Sequence, residues 1–326
     1  MDNGSIQRLS FQAFLIVGLV AGAVFWPGSP GCNRNLLAVV VLGATIGSPG
    51  GRPGPHQKEK TQAVTIIPEV EMGFSIDGKV ALVTGGGRDI GRACCLELAA
   101  NGADVVVNYH SSAESAGKTV AEIEALGRRA VAVKADVTNP ADIKALKETA
   151  LDFGAGRVDI LVNNAGGIIR RARLGDLDPE LIAETLQLNF TSVVLLCQAL
   201  VPVMVEQGGG KVINISSIAG HNGGAPTTPH YGPAKAAVSN LARTLTKEFG
   251  ADNVQVNSVA PGIIDNRFHQ DHTPADMFEK LVTGVPLGRA GTNEDVAGAV
   301  AFLASANADY ISGEVIHVNG GLYFGQ

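Results

Sequence analysis

No run of lysine or arginine occurs in the 326 residues, and the net charge of -6 is mildly acidic. Without clustered cations to follow a phosphate backbone, nucleic acid is excluded as a partner. Cysteine is scarce as well. The four, Cys32, Cys94, Cys95 and Cys197, have the spacing of neither a disulfide framework nor a metal site. Cys94 and Cys95 fall on neighbouring, divergent positions of one helix, so the cysteines read as small core residues in a reducing compartment. The cytoplasm is the expected location. No internal repeat beyond a strand-helix unit is present, and nothing marks a second globular domain. Apolar residues make up 45% and charged residues 17%, which suits a folded core and not a disordered chain.

Residues 1–71 differ in character from the rest of the chain. An apolar run from Phe11 to Trp26 and a shorter one from Leu36 to Ile46 precede the polar, flexible linker SPGGRPGPHQKEK. The first run is short for a membrane span and suits the apolar region of a signal peptide, but its start is poorly charged because Asp2 offsets Arg8. The favoured reading is an added or mis-assigned leader ahead of a start at Met72. Membrane attachment or export is expected only if the leader is genuine. Residues 72–326 are expected to form one domain.

There the chain alternates. Lys79–Thr84 is a nearly continuous apolar run of the kind buried on both faces of a parallel sheet. It leads into GGGRDIGRACCLELAANGA, a glycine-rich turn opening a helix that stops at Asn101 and Gly102. Strand, tight turn and helix N-terminus together make an anion site. Further strands are predicted over Asp104–Tyr109, Ala130–Ala135, Val158–Val162, Lys211–Ile215, Val254–Val259 and Gly313–Val318. Helices are predicted over Ala113–Leu126, Pro140–Phe153, Pro179–Val205, Tyr231–Phe249 and Asn293–Ala304. The alternation implies right-handed crossovers and an α/β, Rossmann-type doubly wound parallel sheet, with ligands beyond the strand C-termini.

The stretch SSIAGHNGGAPTTPHYGPAK, Ser216 to Lys235, carries the chemistry. Tyr231 and Lys235 are one helical turn apart on one face. A tyrosine titrates at about 10 unaided. A neighbouring ammonium favours the phenolate, so Lys235 is expected to lower the Tyr231 pKa and let it exchange a proton with a substrate oxygen that Ser217 holds.

With these residues in order, the chain from about Gly78 to Gly321 resembles the short-chain dehydrogenase/reductase family. The motifs that match are TGGGRDIG at Thr84, Asp136-Val137, NNAG at Asn163, Asn189, the set Ser217, Tyr231 and Lys235, and Pro261-Gly262. The resemblance implies that Ser217 positions the substrate oxygen and that Tyr231 is the acid in reduction and the base in oxidation. Lys235 would tune Tyr231 and bind the nicotinamide ribose, and Asn189 would hold a relay water. The implied cofactor contacts are Gly85, Gly87, Arg88, Asp89, Ile90 and Gly91 in the glycine turn, then Asn108, Tyr109 and Ser111. Asp136 and Val137 at the adenine, Asn164, Ala165 and Gly166, and Pro261, Gly262 and Ile264 complete the implied set with Tyr231 and Lys235. No metal is implied. Asn163 has an equal claim as a structural residue, and Asp136 taken alone is an ordinary turn residue.

Two departures stand out. Asp89 replaces a usual glycine, where its carboxylate can cap the helix or hinder a pyrophosphate, and the segment from Ser217 to Tyr231 is one residue longer than the commonest form. Asn266 stands where a threonine often meets the carboxamide of the nicotinamide. After the second strand, Asn108-Tyr109-His110-Ser111-Ser112 offers no carboxylate for a ribose hydroxyl and Arg88 can meet a phosphate, which favours NADP(H) and leaves NAD(H) open. Arg170, Arg171, Arg173, His221, His230, Arg267, His269 and His272 are expected to line one rim, either as a solvated surface or as the mark of an anionic carbonyl substrate. NNAGG with its arginines, SIAGHNGG, IIDNRFHQDHT and YISGEVIHVNGG resemble loops of bacterial reductases of 4-deoxy-L-erythro-5-hexoseulose uronate. The 3-oxoacyl carrier-protein reductases and glucose dehydrogenases share the overall pattern, and the family implies a homotetramer. Non-catalytic sensors of this fold commonly lose the tyrosine or lysine, and both are present here.

Overall fold

The structure, a computed structural model, describes residues 74–325. The leader and linker of residues 1–71, with Cys32, lie outside the described residues. In chain order the first half runs β1 (Val80–Val83), α1 (Asp89–Ala100), β2 (Asp104–Tyr109), α2 (Ala113–Ala125), β3 (Ala130–Lys134), α3 (Pro140–Phe153) and β4 (Ile160–Asn163). The second half runs α4 (Pro179–Leu186), α5 (Ser192–Glu206), β5 (Gly210–Ile215), α6 (Ala219–Asn222), α7 (Tyr231–Phe249), β6 (Val254–Pro261), α8 (Arg267–His272), α9 (Ala275–Thr283), α10 (Asn293–Ala304) and β7 (Val315–Val318). The seven strands are all parallel in the order β3-β2-β1-β4-β5-β6-β7.

Alternate side chains along each strand feed opposite layers. Ala81 and Val83 pack with α1 and α10 on one face, while Leu82 packs with α3, α5 and α7 on the other. Burying each Leu or Val in these layers contributes roughly 1.5–3 kcal/mol. Local signals set the helix limits. Asn139 accepts from the Ala141 N–H ahead of Pro140, Thr292 and Asp295 form a reciprocal capping box on α10, and Gly102 (φ 106°) turns the chain after α1. Cys94, Cys95 and Cys197 are buried free thiols, and burial pushes Cys94 and Cys197 up to about 12.

The long helix expected over Pro179–Val205 is not continuous. A π-helical turn, Gln187–Thr191, separates α4 from α5, and Asn189 sits in that turn, completely buried. Helices α8 and α9 lie outside the sequence prediction: both are short, α8 has Phe268 as its one apolar residue, and Pro274 divides them. The order of the strands decides where a ligand can go. β1 and β4 are neighbours whose chains leave in opposite directions, which opens a crevice at their C-terminal ends.

Candidate active site

A cleft of about 430 Å³ fills that crevice. Its floor is the turn after β1, where Gly85 adopts φ 63°. Gly91 admits no side chain, since a Cβ there would lie 2.2 Å from the Gly85 carbonyl oxygen. The first turn of α1 has no side-chain cap, so its N–H groups remain to meet an anion. Thr84 ties this turn to the next loop, its Oγ1 accepting from the N–H groups of Asn164 (2.9 Å) and Ala165 (3.0 Å). Asn164 Nδ2 returns a hydrogen bond to the Thr84 carbonyl at 2.9 Å. Thr84 is a fastening that sequence reading passes over, although its place directly after β1 is the signal for it.

Gly85, Gly87, Arg88, Asp89, Ile90, Gly91, Tyr109, Ser111, Asn164, Ala165, Gly166, Ser217, Tyr231, Lys235, Pro261, Gly262 and Ile264 all line the cleft. Asn108, Asp136, Val137 and Asn189 stand behind its walls. Asn108 is buried, its Oδ1 accepting from Gly85 N and its Nδ2 donating to the Ala135 carbonyl. The Asp136 carboxylate is turned onto Thr138, accepting from its N–H at 2.8 Å and its hydroxyl at 2.7 Å. Asn163 braces the sheet by donating to Asn214 Oδ1 at 2.8 Å. Gly167, Ile168, Leu188 and Phe268 also line the cleft. NNAGG pointed to the first of these, and no sequence signal marked the others.

Asn189 donates to the Gly167 carbonyl and accepts from the Gly167 N–H, both at 2.9 Å. A Cβ on Gly166 would come within 2.7 Å of Asn189 Oδ1 and 3.0 Å of Lys235 Nζ, so this glycine lets the two side chains converge behind the loop. Lys235 Nζ donates to the Ile215 carbonyl at 2.9 Å and lies 5.8 Å from the centre of the Tyr231 ring. Tyr231 is hydrogen-bonded to Ser217 and buried. The longer loop before Tyr231 is absorbed by α6 and by glycines 223 and 224 at positive φ.

The electrostatics differ from the sequence expectation. Burial pushes the Tyr231 phenol up to about 12, outweighing the Ser217 hydrogen bond that opposes it, and burial draws Lys235 down to about 8. Desolvation penalises both charged forms and exceeds their mutual attraction in the unliganded protein. The arrangement therefore holds a protonated phenol, able to donate to a developing alkoxide.

Asp89 does not cap α1. Its backbone is left-handed (φ 49°), which explains a glycine preference at this position. Its carboxylate reaches across the cleft to accept from the Arg267 N–H at 3.3 Å and lies 3.9 Å from Arg88 Nε. Replacing Asp89 by Gly is expected to tighten cofactor binding about fivefold, the size of one like-charge repulsion removed from a solvated anion site. Fluorescence titration measures it, and unchanged or weaker binding contradicts the account.

Of the rim residues, Arg267 and His269 line the cleft, and two of the arginines have counter-ions. Arg170 pairs with Asp178 at 2.5 Å and Arg267 with Asp271 at 3.3 Å. His230 is buried, His221 is turned onto Ser239, and Arg173 is exposed. Arg171 is half-buried and donates to the hydroxyls of Thr227 (3.2 Å) and Thr273 (3.4 Å). The His272 side chain lies outside the described residues.

Residues 85–323 match the sequence profile of a family described as Enoyl-(Acyl carrier protein) reductase. The L-rhamnose 1-dehydrogenase (NAD(P)(+)) of Sphingomonas sp. (strain SKA58) is 40% identical over 256 residues, covering 76% of this chain and 97% of that protein. The chain belongs to the short-chain dehydrogenase/reductase family. A 3-oxoacyl-[acyl-carrier-protein] reductase from Synechocystis sp. (strain ATCC 27184 / PCC 6803 / Kazusa) is 42% identical over 249 residues, covering 76% of this chain and 98% of that protein. Among solved structures, a 7α-hydroxysteroid dehydrogenase complexed with NADH and 7-oxo glycochenodeoxycholic acid superposes with a TM-score of 0.72 and 34% identity, covering 76% of this chain and 96% of that one. As a short-chain dehydrogenase/reductase, the protein is an oxidoreductase acting on CH-OH groups. Its walls fit a dinucleotide: the Gly91 cradle tolerates only backbone, and Asn266, buried at the cleft, has an Oδ1 with no hydrogen-bond partner.

Proposed function

We propose that the protein is an NADP(H)-preferring reductase of a small carbonyl compound, with Tyr231 as proton donor. The observation that carries this reading is the convergence of Ser217, Tyr231 and Lys235 on the cleft that also holds the glycine turn. Bound there, the nicotinamide supplies the hydride. Ser217 and Tyr231 orient the substrate oxygen and deliver the proton, while Lys235 and Asn189 support the phenol from behind. The absence of a carboxylate at the end of β2, together with Arg88 on the cleft wall, supports NADP(H); NAD(H) remains the alternative.

The substrate is read as a sugar-acid aldehyde or ketone. Arg267 and His269 line the cleft, and donors of this kind suit a carboxylate. A second reading, 3-oxoacyl carrier-protein reduction, draws on the 42% identity to the Synechocystis reductase. A cytoplasmic homotetramer is part of the proposal. Pro179–Glu206 is apolar enough to span a membrane by composition, yet only 44% of its most apolar window is buried within one chain, so its free face suits a second copy.

Following NADPH and NADH consumption by the full chain with 4-deoxy-L-erythro-5-hexoseulose uronate and with an acetoacetyl thioester tests both halves. The uronate with NADPH is expected to give the higher kcat/KM by at least about tenfold, the contribution of a charge-assisted contact. Preference for the thioester transfers the protein to acyl chemistry. Sedimentation of the same preparation reads the assembly.

A further inference from the structure

Behind the catalytic wall, two hydroxyls and an imidazole stand in line. Ser216 Oγ donates to the Lys235 carbonyl at 2.9 Å, Ser239 Oγ lies 2.6 Å from Ser216 Oγ, and His221 Nε2 lies 3.1 Å from Ser239 Oγ. Both serines are buried. Counting hydrogens fixes the direction of the line. A carbonyl only accepts, so the single hydroxyl hydrogen of Ser216 goes to Lys235. Ser239 must then donate its own hydrogen to Ser216, which leaves its oxygen to accept from the imidazole. His221 Nε2 therefore carries a hydrogen.

We propose that His221 is a positioning residue, whose Nε2–H heads a one-way hydrogen-bond chain through Ser239 and Ser216 that seats the backbone of Lys235 against the end of β5. The same strand end grips the lysine a second time, because Lys235 Nζ donates to the Ile215 carbonyl. Ser216 and Ile215 directly precede Ser217, so one rigid junction sets the distance from the serine to the α7 turn that bears Tyr231 and Lys235. Bonds in such a chain polarise one another, and losing the first donor weakens the two beyond it.

The surroundings hold the imidazole for this task. His317 of β7 meets its ring edge-on with centroids 4.7 Å apart, and the Tyr323 ring is tilted against it at 5.9 Å. Gly220, next to His221, admits no side chain because a Cβ would lie 2.7 Å from the Ala236 nitrogen and 2.8 Å from the Lys235 carbonyl carbon. The turn of α6 is thus seated directly on the α7 backbone at Lys235. Burial, then the neighbouring His317 and Arg243, holds His221 below its ordinary value, which keeps the ring in the neutral form that has one N–H.

The inference rests on Tyr231 and Lys235 as the acid–base pair, which Tyr231→Phe tests separately. Two measurements test His221 itself. In ¹⁵N-labelled full-length protein, Nε2 of His221 should show the bonded hydrogen and Nδ1 the lone pair; the opposite tautomer overturns the chain whatever the reaction. In kinetics, His221→Phe keeps a ring against His317 but removes the donor, whereas His221→Gln loses the ring and keeps an N–H at the end of its side chain. His221→Phe is expected to lower kcat roughly tenfold with KM and cofactor Kd within about twofold, and His221→Gln to restore kcat to within about threefold of the parent. Full kcat in His221→Phe, or an equal loss in both variants, overturns the proposal and leaves the ring as packing.

Discussion

Tyr231→Phe is expected to lower turnover by about 10³-fold while leaving cofactor affinity within about threefold, the measure of a positioned general acid removed without disturbing binding. Only the hydroxyl is lost. The ring stays packed against Phe268, with centroids 6.3 Å apart, and beside Ile168 and Ala219, so the variant should fold. What disappears is the proton beside Ser217 that would neutralise an alkoxide there. Steady-state NADPH oxidation and a fluorescence titration give the two numbers; turnover within tenfold of the parent removes Tyr231 from the mechanism. The same phenol sets a pH dependence. Burial holds it at about 12, so it stays protonated throughout the neutral range and reduction does not depend on its ionisation there. Alcohol oxidation needs the phenolate, whose fraction rises tenfold per pH unit below the pKa, so oxidation should accelerate from neutral toward alkaline pH. Lys235, drawn down to about 8, loses its charge over the same interval, and its support of the phenolate fades as it does. Oxidation should therefore climb less steeply above about pH 8 than below it. A flat oxidation profile contradicts the raised phenol.

The parts of this site that were legible in the sequence are those fixed by local rules. The glycine turn after a buried strand, the one-turn spacing of Tyr231 and Lys235, and α7 and α10 to the residue come from periodicity, capping and turn chemistry. The sheet was legible because VALV and DVVVNY have no other stable environment than a strand covered on both faces. What stayed hidden depends on tertiary contact. The π turn at Asn189 exists because its side chain clasps Gly167, 22 residues away, and no pattern within Pro179–Val205 announces it. The expected depression of the Tyr231 pKa failed for the same reason, since spacing displays the neighbouring charge and conceals the burial that outweighs it. The partners of the rim cations were hidden too: Asp178 and Asp271 pair with Arg170 and Arg267, and His221 faces Ser239, while Arg267 and His269 line the cleft.

Gly91→Ala should lower the melting temperature by roughly 2–10 °C and weaken cofactor binding by at least about tenfold, a large effect for one methyl group. The added Cβ would stand 2.2 Å from the Gly85 carbonyl oxygen and 2.5 Å from Asn164 Nδ2. Neither neighbour can withdraw cheaply. Gly85 is held at φ 63° and its N–H donates to Asn108 Oδ1, while Asn164 Nδ2 is engaged by the carbonyls of Thr84 and Gly85 at 2.9 and 3.3 Å. The clash must be relieved by moving the turn off the N-terminus of α1, at about 1–3 kcal/mol for overpacking of this kind, which sets the melting shift for a domain of this size. The turn so displaced is the floor of the cleft, so the loss of affinity should exceed the loss of stability. Gly117→Ala provides the opposite case. That glycine is in α2, where a Cβ meets nothing within 4 Å, and the same methyl should stabilise the helix by about 0.5–1 kcal/mol with cofactor binding unchanged. Scanning calorimetry and titration of the two variants side by side separate a glycine needed for close approach from one that is merely tolerated. Equal behaviour of the pair would mean that the turn after β1 is not the cofactor cradle.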